Sequence, residues 1–558
     1  MLSLIIIAVS LIFLAAYRFY GRFLSRQIGL DDACITPACQ IDDGVDFVPA
    51  KSSLLLAQHF SAIAAAGPIV GPILAGIWFG WLPTLLWIVL GSIFVGGVYD
   101  FSSLTASLKH KATSIGEIVK LQMSRSAHLL FLTFVWLCLI YVIVVFTDIT
   151  AQTFKTVSND TAFGPGIAAS SFLYLVLGVI MGVLLFKYKF RLWVTTVVFL
   201  PLVLYSVWIG PRLPQPILSF LADISVRQWN GIILFYCLIA SLIPMWLLLQ
   251  PRGYLGGWLL YLTILVGFMG ALFGGFKIEY PAVNTAGFAS LTNGKPLFPL
   301  LFITVACGAC SGFHGIVSSG TTSKQLAKES DARLVGYGGM LLEGVVAMLA
   351  LATVMIIPKG SASLSADPNL IYAKGLAGYL GLVGINFNLA FPFALLAFST
   401  FVYDTLDVCT RLARYIFQEL TGWHTRNGGY LAALITLALP FTFLMLTKEK
   451  GYLVAWPIFG ASNQLLAGLV LLAVSVWLIR SGKNAVYTIV PMIFMLGITL
   501  WSLILLILPF GKGLLSGGEI KPDLMISGIC GLVLLGLSML LIYEAVRAVA
   551  GKRTFPSR

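Results

Sequence analysis

Charged side chains are scarce in this chain, where they make up 10% of the 558 residues. Soluble globular domains carry about 25% charged residues, so the composition excludes a soluble protein. Hydrophobic residues make up 59%, and the mean hydropathy is +0.96. Because a bilayer interior admits only segments whose backbone groups pair internally, the sequence predicts an all-α polytopic membrane protein.

Other absences narrow the function further. No H-E-x-x-H zinc-protease motif occurs, and the segment 309–312 (ACSG) only approximates a serine-protease signature. The net charge of +13 comes from basic residues spread through short loops, which is typical of membrane topology and not of nucleic-acid binding. The first apolar run lacks a charged start and a cleavage motif, so a retained helix is expected. No cofactor is expected.

Apolar windows of roughly 20 residues mark about 15 membrane spans. Basic residues concentrate in alternate loops, which predicts an outside N-terminus and a cytoplasmic C-terminus. The Gly-rich piece 370–386 is a candidate re-entrant or interfacial segment. The predicted spans are 1–20, 54–76, 82–105, 128–154, 167–187, 191–209, 230–250, 255–276, 297–318, 336–357, 388–410, 428–446, 454–479, 486–510 and 523–547.

The second span contains two Gly-Pro pairs, Gly67-Pro68 and Gly71-Pro72, in its middle. Each proline removes a backbone donor and clashes with the preceding turn, so a broken helix is predicted. Broken helices at mid-membrane expose backbone groups for substrates and ions in many transporters. The alternative is a packing kink. His59, two turns earlier, is either a proton carrier or a satisfied core residue.

Pro244 lies in the middle of the seventh span, five spans after the first break. The two spans are predicted to run in opposite directions, as in two inverted five-helix repeats that each begin with a broken helix. The core would then comprise spans 2–11, with the other helices peripheral. The predicted divisions are 1–53 (first helix and polar loop), 54–209 and 230–415 (the two repeats) and 428–558 (additional helices).

The ninth span ends in a polar cluster that a lipid-facing helix would not carry. Hydroxyls spaced at i, i+3 and i+4 share a helix face and could coordinate a cation with the broken second span. Alternatively, Lys324 stands where a sodium ion would bind, or the hydroxyls bond back to their own helix. The cluster comprises His314, Ser318, Ser319, Thr321, Thr322 and Lys324.

Four carboxylates lie inside or beside apolar runs, where an uncompensated charge is costly. Asp100 is either a proton-path group or a structural partner of a basic residue. Asp407 either takes part in the path or pairs with Arg411 at i, i+4, whereas the deeper Asp404 needs a partner from elsewhere. Glu343 is the fourth. The amides of Asn463 and Gln464, after a Pro/Gly break, either join helices or line the path.

The first polar loop, 21–53, contains Cys34, Cys39 and several aspartates. One hypothesis is that these side chains bind a metal, although the C-x4-C spacing of the two cysteines fits no strong zinc pattern. An ordered loop with Asx-type turns is the other. No metal is expected elsewhere.

Several stretches together resemble the carbon starvation protein A family of bacterial inner-membrane transporters. The matching stretches are TPA with DGVDFVP (36–49), HFSAIAAAGPIVGPILA (59–75), DFSSL with SIGE (100–117), CGACSGFHGIVSSGTTSKQ (307–325), GYGGMLLEG (336–344), TLDVCTRLARY (405–415) and WPIFGASNQLLA (456–467). This chain has Tyr99 and Cys39 where histidine is common in the family.

The resemblance implies uptake of small peptides or pyruvate, the latter with protons, and the inverted-repeat fold of the amino acid–polyamine–cation superfamily. The expected function is secondary active transport by alternating access, with H⁺ or Na⁺ as the coupling ion. The alternatives are a nutrient sensor without flux and an intramembrane enzyme. The residues expected at the substrate and ion sites are His59, Gly67, Pro68, Gly71, Asp100, Pro244, His314, Ser318, Ser319, Thr321, Thr322, Lys324, Glu343, Asp404, Asp407, Asn463 and Gln464.

Overall fold

The computed structural model is built from helices, with one short pair of strands. It describes residues 1–43, 47–158, 161–244, 246–284, 296–365, 367–423, 425–447, 451–516 and 522–550. The strands β1 (Val157–Ser158) and β2 (Thr161–Ala162) pair antiparallel. The predicted class of polytopic helical membrane protein is confirmed. The basic tail at 551–558, used to orient the C-terminus, lies outside the described residues.

The helices of the first part of the chain run to residue 273. They are α1 (Leu2–Ile28), α2 (Pro37–Ile41), α3 (Ser52–Ile63), α4 (Gly67–Phe79), α5 (Trp81–Gly91), α6 (Gly97–Lys109), α7 (Ile115–Gln122), α8 (Arg125–Thr153), α9 (Gly164–Gly182), α10 (Leu192–Ile209), α11 (Gln215–Asp223), α12 (Val226–Leu242) and α13 (Leu249–Phe273).

The second part begins after the segment 285–295, which is not described. Its helices are α14 (Leu297–Thr304), α15 (Gly312–Gly320), α16 (Gly339–Met355), α17 (Pro368–Gly381), α18 (Phe387–Thr421), α19 (Arg426–Leu446), α20 (Gly451–Arg480), α21 (Val486–Ser516) and α22 (Pro522–Ala550). The π-helical turns Ser92–Gly96 and Arg333–Gly338 join α5 to α6 and lead into α16.

Twelve helices within the described residues are long and apolar enough to cross a membrane, or thirteen with the bent pair α3–α4 as one span. The predicted count of about 15 is not confirmed. The two remaining predicted spans are the shorter helix α12 and the interrupted segment 297–318. Both fall below the length of a continuous span because each helix ends early, before Pro244 and at Thr304.

The second span is broken, as the sequence predicts. Helices α3 and α4 meet at an angle of 50° across Ala64–Ala66. The break lies just before Gly67-Pro68, because proline is accommodated in the first turn of α4, where its missing N–H has no partner to lose. Pro72 lies inside α4, so the second Gly-Pro pair does not make a break of its own.

The ninth span is also broken, and this differs from the continuous helix predicted over 297–318. Helix α14 ends at Thr304, α15 starts at Gly312, and Gly308 between them has φ +86°. The two broken spans cross at their breaks. An added Cβ on Gly67 would lie 2.3 Å from the Cys307 Cβ, and one on Gly71 would lie 2.5 Å from the Thr304 carbonyl oxygen.

Burial separates core helices from peripheral ones. The most apolar window of Phe387–Thr421 is 94% buried, whereas that of Leu2–Ile28 is 22% buried. The long helix α18 packs along α8, and α20 packs against both α8 and α15. The broken spans therefore lie among the buried helices and pack against α16, α18 and α20.

Pro244 does not interrupt a span, which corrects the prediction. Helix α12 ends at Leu242, and Pro244 lies in the connection to α13. The early end leaves carbonyl groups without intrahelical donors. Arg411 donates to two of them, Ala240 O at 2.8 Å and Ile243 O at 2.6 Å. The ion pair of Asp407 in the described structure is with Arg252 and not with Arg411, the alternative that the sequence offered.

The first polar loop is ordered against the segment that follows α15. Ala50 forms a parallel bridge with Leu326, and the backbone N–H of Asp31 donates to Glu329 Oε2 at 2.9 Å. Two hydrogen bonds from Ser330 to Asp32 lower the pKa of that carboxyl. Cys39 is exposed, with its Sγ 3.6 Å from the Ala327 carbonyl. These contacts agree with the ordered-loop alternative.

Candidate functional site

The break between α14 and α15 exposes backbone groups that side chains of neighbouring helices satisfy. Trp87 Nε1 donates to Val305 O at 3.1 Å, and Ser92 Oγ donates to Gly308 O at 2.9 Å. The Gly308 N–H in turn donates to Glu343 Oε1 at 3.1 Å. Inside a membrane each unsatisfied backbone group costs several kcal/mol, so these contacts make the break tolerable.

Asn463 and Gln464 hold the same break from α20. Asn463 Oδ1 accepts from the Phe313 N–H at 3.0 Å, and its Nδ2 donates to Ser311 Oγ at 3.0 Å. Gln464 Nε2 donates to Phe302 O at 2.5 Å. Of the two roles considered for these amides, the structure places them in joining helices.

Three fully buried ionisable side chains meet beside the break. His314 on α15 lies between Asp100 on α6 and Glu343 on α16. Its Nδ1 is 2.8 Å from Asp100 Oδ2, and its Nε2 is 3.2 Å from Glu343 Oε2. We call these residues the buried triad. An imidazole between two carboxylates can hold a variable number of protons, and titration of one group depends on the others.

Tyr99 fixes the start of α15 next to the triad. Its hydroxyl donates to Gly312 O at 2.6 Å and accepts from the Gly315 N–H at 3.1 Å. An added Cβ on Gly315 would lie 2.2 Å from that hydroxyl oxygen, so α6 and α15 approach as closely as glycine allows. Sequence reasoning noted Tyr99 only as a departure from histidine and missed this role.

A cavity of about 60 Å³ lies between α3, α13, α15 and α18. Its polar lining is Gln58, His59, Ser61, Gln250, Thr321, Thr322, Gln325 and Asp404. His59 Nδ1 is 2.9 Å from Thr322 Oγ1, and His59 Nε2 has no hydrogen-bond partner among the described residues. The volume holds only a few waters, so a substrate of several heavy atoms needs the helices to separate.

A second charged cluster lies behind this cavity. The Arg252 Nε is 3.1 Å from Asp404 Oδ1, and its Nη1 is 2.5 Å from Asp407 Oδ2. Ser61 Oγ donates to Asp404 Oδ2 at 3.1 Å, and the Tyr236 hydroxyl donates to Asp407 Oδ2 at 2.8 Å. Arg252 falls between the predicted spans 230–250 and 255–276, but it is 1% exposed within α13, so the prediction of a loop there is wrong.

The predicted hydroxyl face does not form, because α15 ends at Gly320 and Thr322–Lys324 form a 3₁₀ turn. Ser319 Oγ donates to Gly315 O at 2.8 Å and Thr321 Oγ1 to Val317 O at 2.9 Å, which is the back-bonding alternative. Ser318 is buried, and its Oγ has no hydrogen-bond partner within the described chain. The Lys324 Nζ lies 5.4 Å from the centroid of the Phe47 ring in the first loop.

The buried triad thus assembles from three stretches that are far apart in the sequence, and each of them belongs to the resemblance described above. The model of the family described as carbon starvation protein CstA matches residues 1–374 and 361–502. The chain belongs to this family. Family membership and the twelve apolar helices make it a multi-pass membrane transporter.

Three relatives illustrate the names and the sequence identities of the proteins that this chain resembles. A protein named peptide transporter CstA from Helicobacter pylori strain J99 is 32% identical, over 90% of this chain and 82% of the relative. Peptide transporter CstA of Escherichia coli K12 is 31% identical, covering 89% and 80%. The pyruvate/proton symporter BtsT of E. coli K12 is 29% identical, covering 89% and 81%.

Among solved structures, a manganese transporter of Eremococcus coleocola is 15% identical over 91% of this chain and 99% of that chain, with a TM-score of 0.45.

The CstA-family motifs contain all three triad residues, but not the cation of the second cluster. Asp100, His314 and Glu343 each lie in a matched stretch, whereas Arg252 lies in the segment QPRGYL outside every quoted motif. The signal that could have found Arg252 is the pair Asp404 and Asp407, since two carboxylates on one buried face require a buried cation.

Proposed function

We propose that this chain is a proton-coupled secondary transporter that imports small peptides, or a small carboxylate such as pyruvate, by alternating access. The observation that carries the proposal is the buried triad, which lies beside the break between α14 and α15. Ionisable groups within a membrane are costly to keep and mark ion or proton paths. The names of the relatives, peptide transporter and pyruvate/proton symporter, support the same class.

The proposed coupling element is α15, because it contacts both sites. One end of the helix carries His314 between Asp100 and Glu343. Val317 nearer its other end, and Thr321 directly after the helix, line the cavity. Protonation of the triad would change the packing of α15 against α6 and α16 and thereby move one cavity wall. A two-state element that both sites bias is what energetic coupling requires.

The cavity lining supports a substrate that carries an amino group. Asp404 carries the only carboxyl group among the residues of the described chain that line it. A peptide ammonium group would bind near Asp404, and its carboxylate would bind at amide side chains such as Gln250 and Gln325. Pyruvate lacks an ammonium group and would leave Asp404 facing an anion.

The proposed core is a pair of inverted repeats in which the broken spans α3–α4 and α14–α15 correspond. Their mutual crossing supports this pairing, as does the packing of α8 along α18 and of α12 and α19 against both. Under this proposal the second repeat starts near Leu297 and not at residue 230. The proposed location is the bacterial inner membrane, with the N-terminus outside and the C-terminus in the cytoplasm.

Uptake into proteoliposomes tests the function. An inward proton gradient should drive accumulation of labelled dialanine, and collapse of the gradient with a protonophore should abolish it. A sodium gradient without a pH difference should not replace it. Counterflow with amino acids, dipeptides and pyruvate ranks the substrates. Absence of accumulation for every compound under every gradient, with tight binding retained, would favour a sensor instead.

A further inference from the structure

Three side chains with metal-binding atoms meet away from the transport site, where α7, α8 and α18 come together. Glu117 lies on α7, His128 near the start of α8, and Glu419 near the end of α18. One ligand atom from each lies within 4.8 Å of the other two. The three residues come from three separate helices, so their meeting depends on the tertiary fold and not on sequence proximity.

The imidazole of His128 is oriented as a metal ligand would be. Its Nδ1 lies 2.9 Å from the Gly116 carbonyl oxygen, so Nδ1 donates its proton there. The Nε2 atom then faces the carboxylate, 3.2 Å from Glu419 Oε1. Metal-binding histidines almost always donate the second ring N–H to a carbonyl or carboxylate, which fixes both tautomer and ring plane.

The buried oxygen of Glu419 gives an independent indication. Glu419 Oε1 is shielded from solvent, and it can accept from His128 Nε2 only when the imidazole is protonated, because Nδ1 already donates to Gly116. With a neutral imidazole this buried acceptor has no donor, which is costly. His128 itself is only 6% exposed. A cation between the two atoms would remove the cost for both at once.

Glu117 supplies the third ligand at the exposed edge. Its carboxylate accepts from Lys120 Nζ at 3.0 and 3.2 Å, one turn along α7. Such exposed pairs contribute little to stability, so Lys120 can move aside at little cost. Because the Glu117 side chain is 35% exposed, solvent would supply a water as a fourth ligand.

We propose that Glu117, His128 and Glu419 form a binding site for a divalent transition-metal ion, such as Zn²⁺. One imidazole nitrogen, two carboxylate oxygens and a water match a four-coordinate zinc site with three protein ligands. The bound ion would join α7 and the start of α8 to the end of α18. Since it binds only the folded arrangement, it would also stabilise the chain.

The test measures Zn²⁺ binding to the full chain, purified in detergent with any affinity tag removed. A Cys34→Ser/Cys39→Ser background prevents the exposed thiols of the first loop from binding zinc. Calorimetric titration should give one ion per chain at this site. His128→Gln and Glu419→Gln should each weaken binding at least about tenfold, since even outer-shell changes cost 10–100-fold. Cobalt titration should add visible absorption bands of a nitrogen–oxygen site.

Glu544→Gln is the matched control. Glu544 Oε2 accepts from Ser124 Oγ at 2.7 Å at the start of the same helix, and Glu544 has no place in the cluster. Zinc affinity should be unchanged by this substitution. The thermal unfolding midpoint without metal verifies that each variant folds, and zinc should raise it in the parent but not in His128→Gln.

Two results would overturn the proposal: no saturable zinc binding in the Cys34→Ser/Cys39→Ser parent, or equal affinity in His128→Gln and that parent. The residues would form only an ion pair if two results were found together. Zinc would leave the unfolding midpoint of the parent unchanged, and His128→Gln would lower the midpoint measured without metal. The measurement needs no transport, so its outcome does not depend on the proposed transport function.

Discussion

At the scale of single residues, the central fact is that buried charges are compensated by residues distant in the sequence. Arg252 meets Asp404 and Asp407, and His314 meets Asp100 and Glu343. In a low-dielectric interior the removal of one partner is far more costly than removal of the whole group. In each cluster, a substitution that removes one partner should therefore destabilise the protein more than a combined substitution that removes all of its charges.

Arg252→Met should strongly destabilise the protein because it leaves two buried carboxylates without their cation. The expected loss is about 3–5 kcal/mol, the usual cost of breaking a buried pair. Thermal unfolding in detergent measures it. Combining Arg252→Met with Asp404→Asn and Asp407→Asn should recover much of the stability. The exposed Arg191→Met is the control and should change little. Equal losses in the single and triple variants would contradict the account.

Gly256→Ala should damage the cavity wall. The added Cβ would lie 2.3 Å from Asp404 Oδ2 and 3.2 Å from Ser61 Oγ, so Asp404 would have to move. We expect at least about a tenfold loss of uptake, as displacement by 1 Å commonly costs still more. In the control, Gly497→Ala, the added Cβ meets nothing within 4 Å. Normal uptake by Gly256→Ala would show that Asp404 does not contact the substrate.

At the scale of elements, the molecule is built around two broken spans that cross. The first break is predictable because Gly67-Pro68 acts locally through the missing N–H of proline. The second, at 305–311, contains no proline and depends on Trp87, Ser92 and Glu343 from other helices. A sequence window cannot represent those partners. For the same reason the sequence predicts a loop at Arg252, which follows a Gln-Pro dipeptide and whose carboxylate partners lie far away in the sequence.

Gly71→Ala should impair folding and uptake because its Cβ would lie 2.5 Å from the Thr304 carbonyl oxygen. Backbone atoms held within a break cannot move away easily, so the two spans would have to separate. Gly76→Ala on the same helix is the matched control. There the added Cβ would meet Leu351 Cδ1 at 2.6 Å, and that methyl can rotate away. Expression level, monodispersity and uptake are measured, and indistinguishable behaviour of the two variants would refute the tight crossing.

At the scale of the whole molecule, composition alone predicted a polytopic helical membrane protein. The triad residues were also found, because Asp100, His314 and Glu343 are polar side chains in apolar runs. Their assembly at one point could not be read from the sequence, since it requires α6, α15 and α16 to meet. The helix count differed where α12 and α14 end early, because helix ends depend on packing as much as on hydropathy.

The central claim is that the triad carries the coupled proton, and Glu343→Gln tests it most directly. Glutamine keeps the size of the side chain and an acceptor for the Gly308 N–H but cannot ionise. The measurement compares dipeptide counterflow with pH-gradient-driven accumulation in proteoliposomes. The account predicts that counterflow persists while gradient-driven accumulation falls at least about tenfold, the effect of losing 1.4 kcal/mol of coupling. Full gradient-driven accumulation by Glu343→Gln would contradict it.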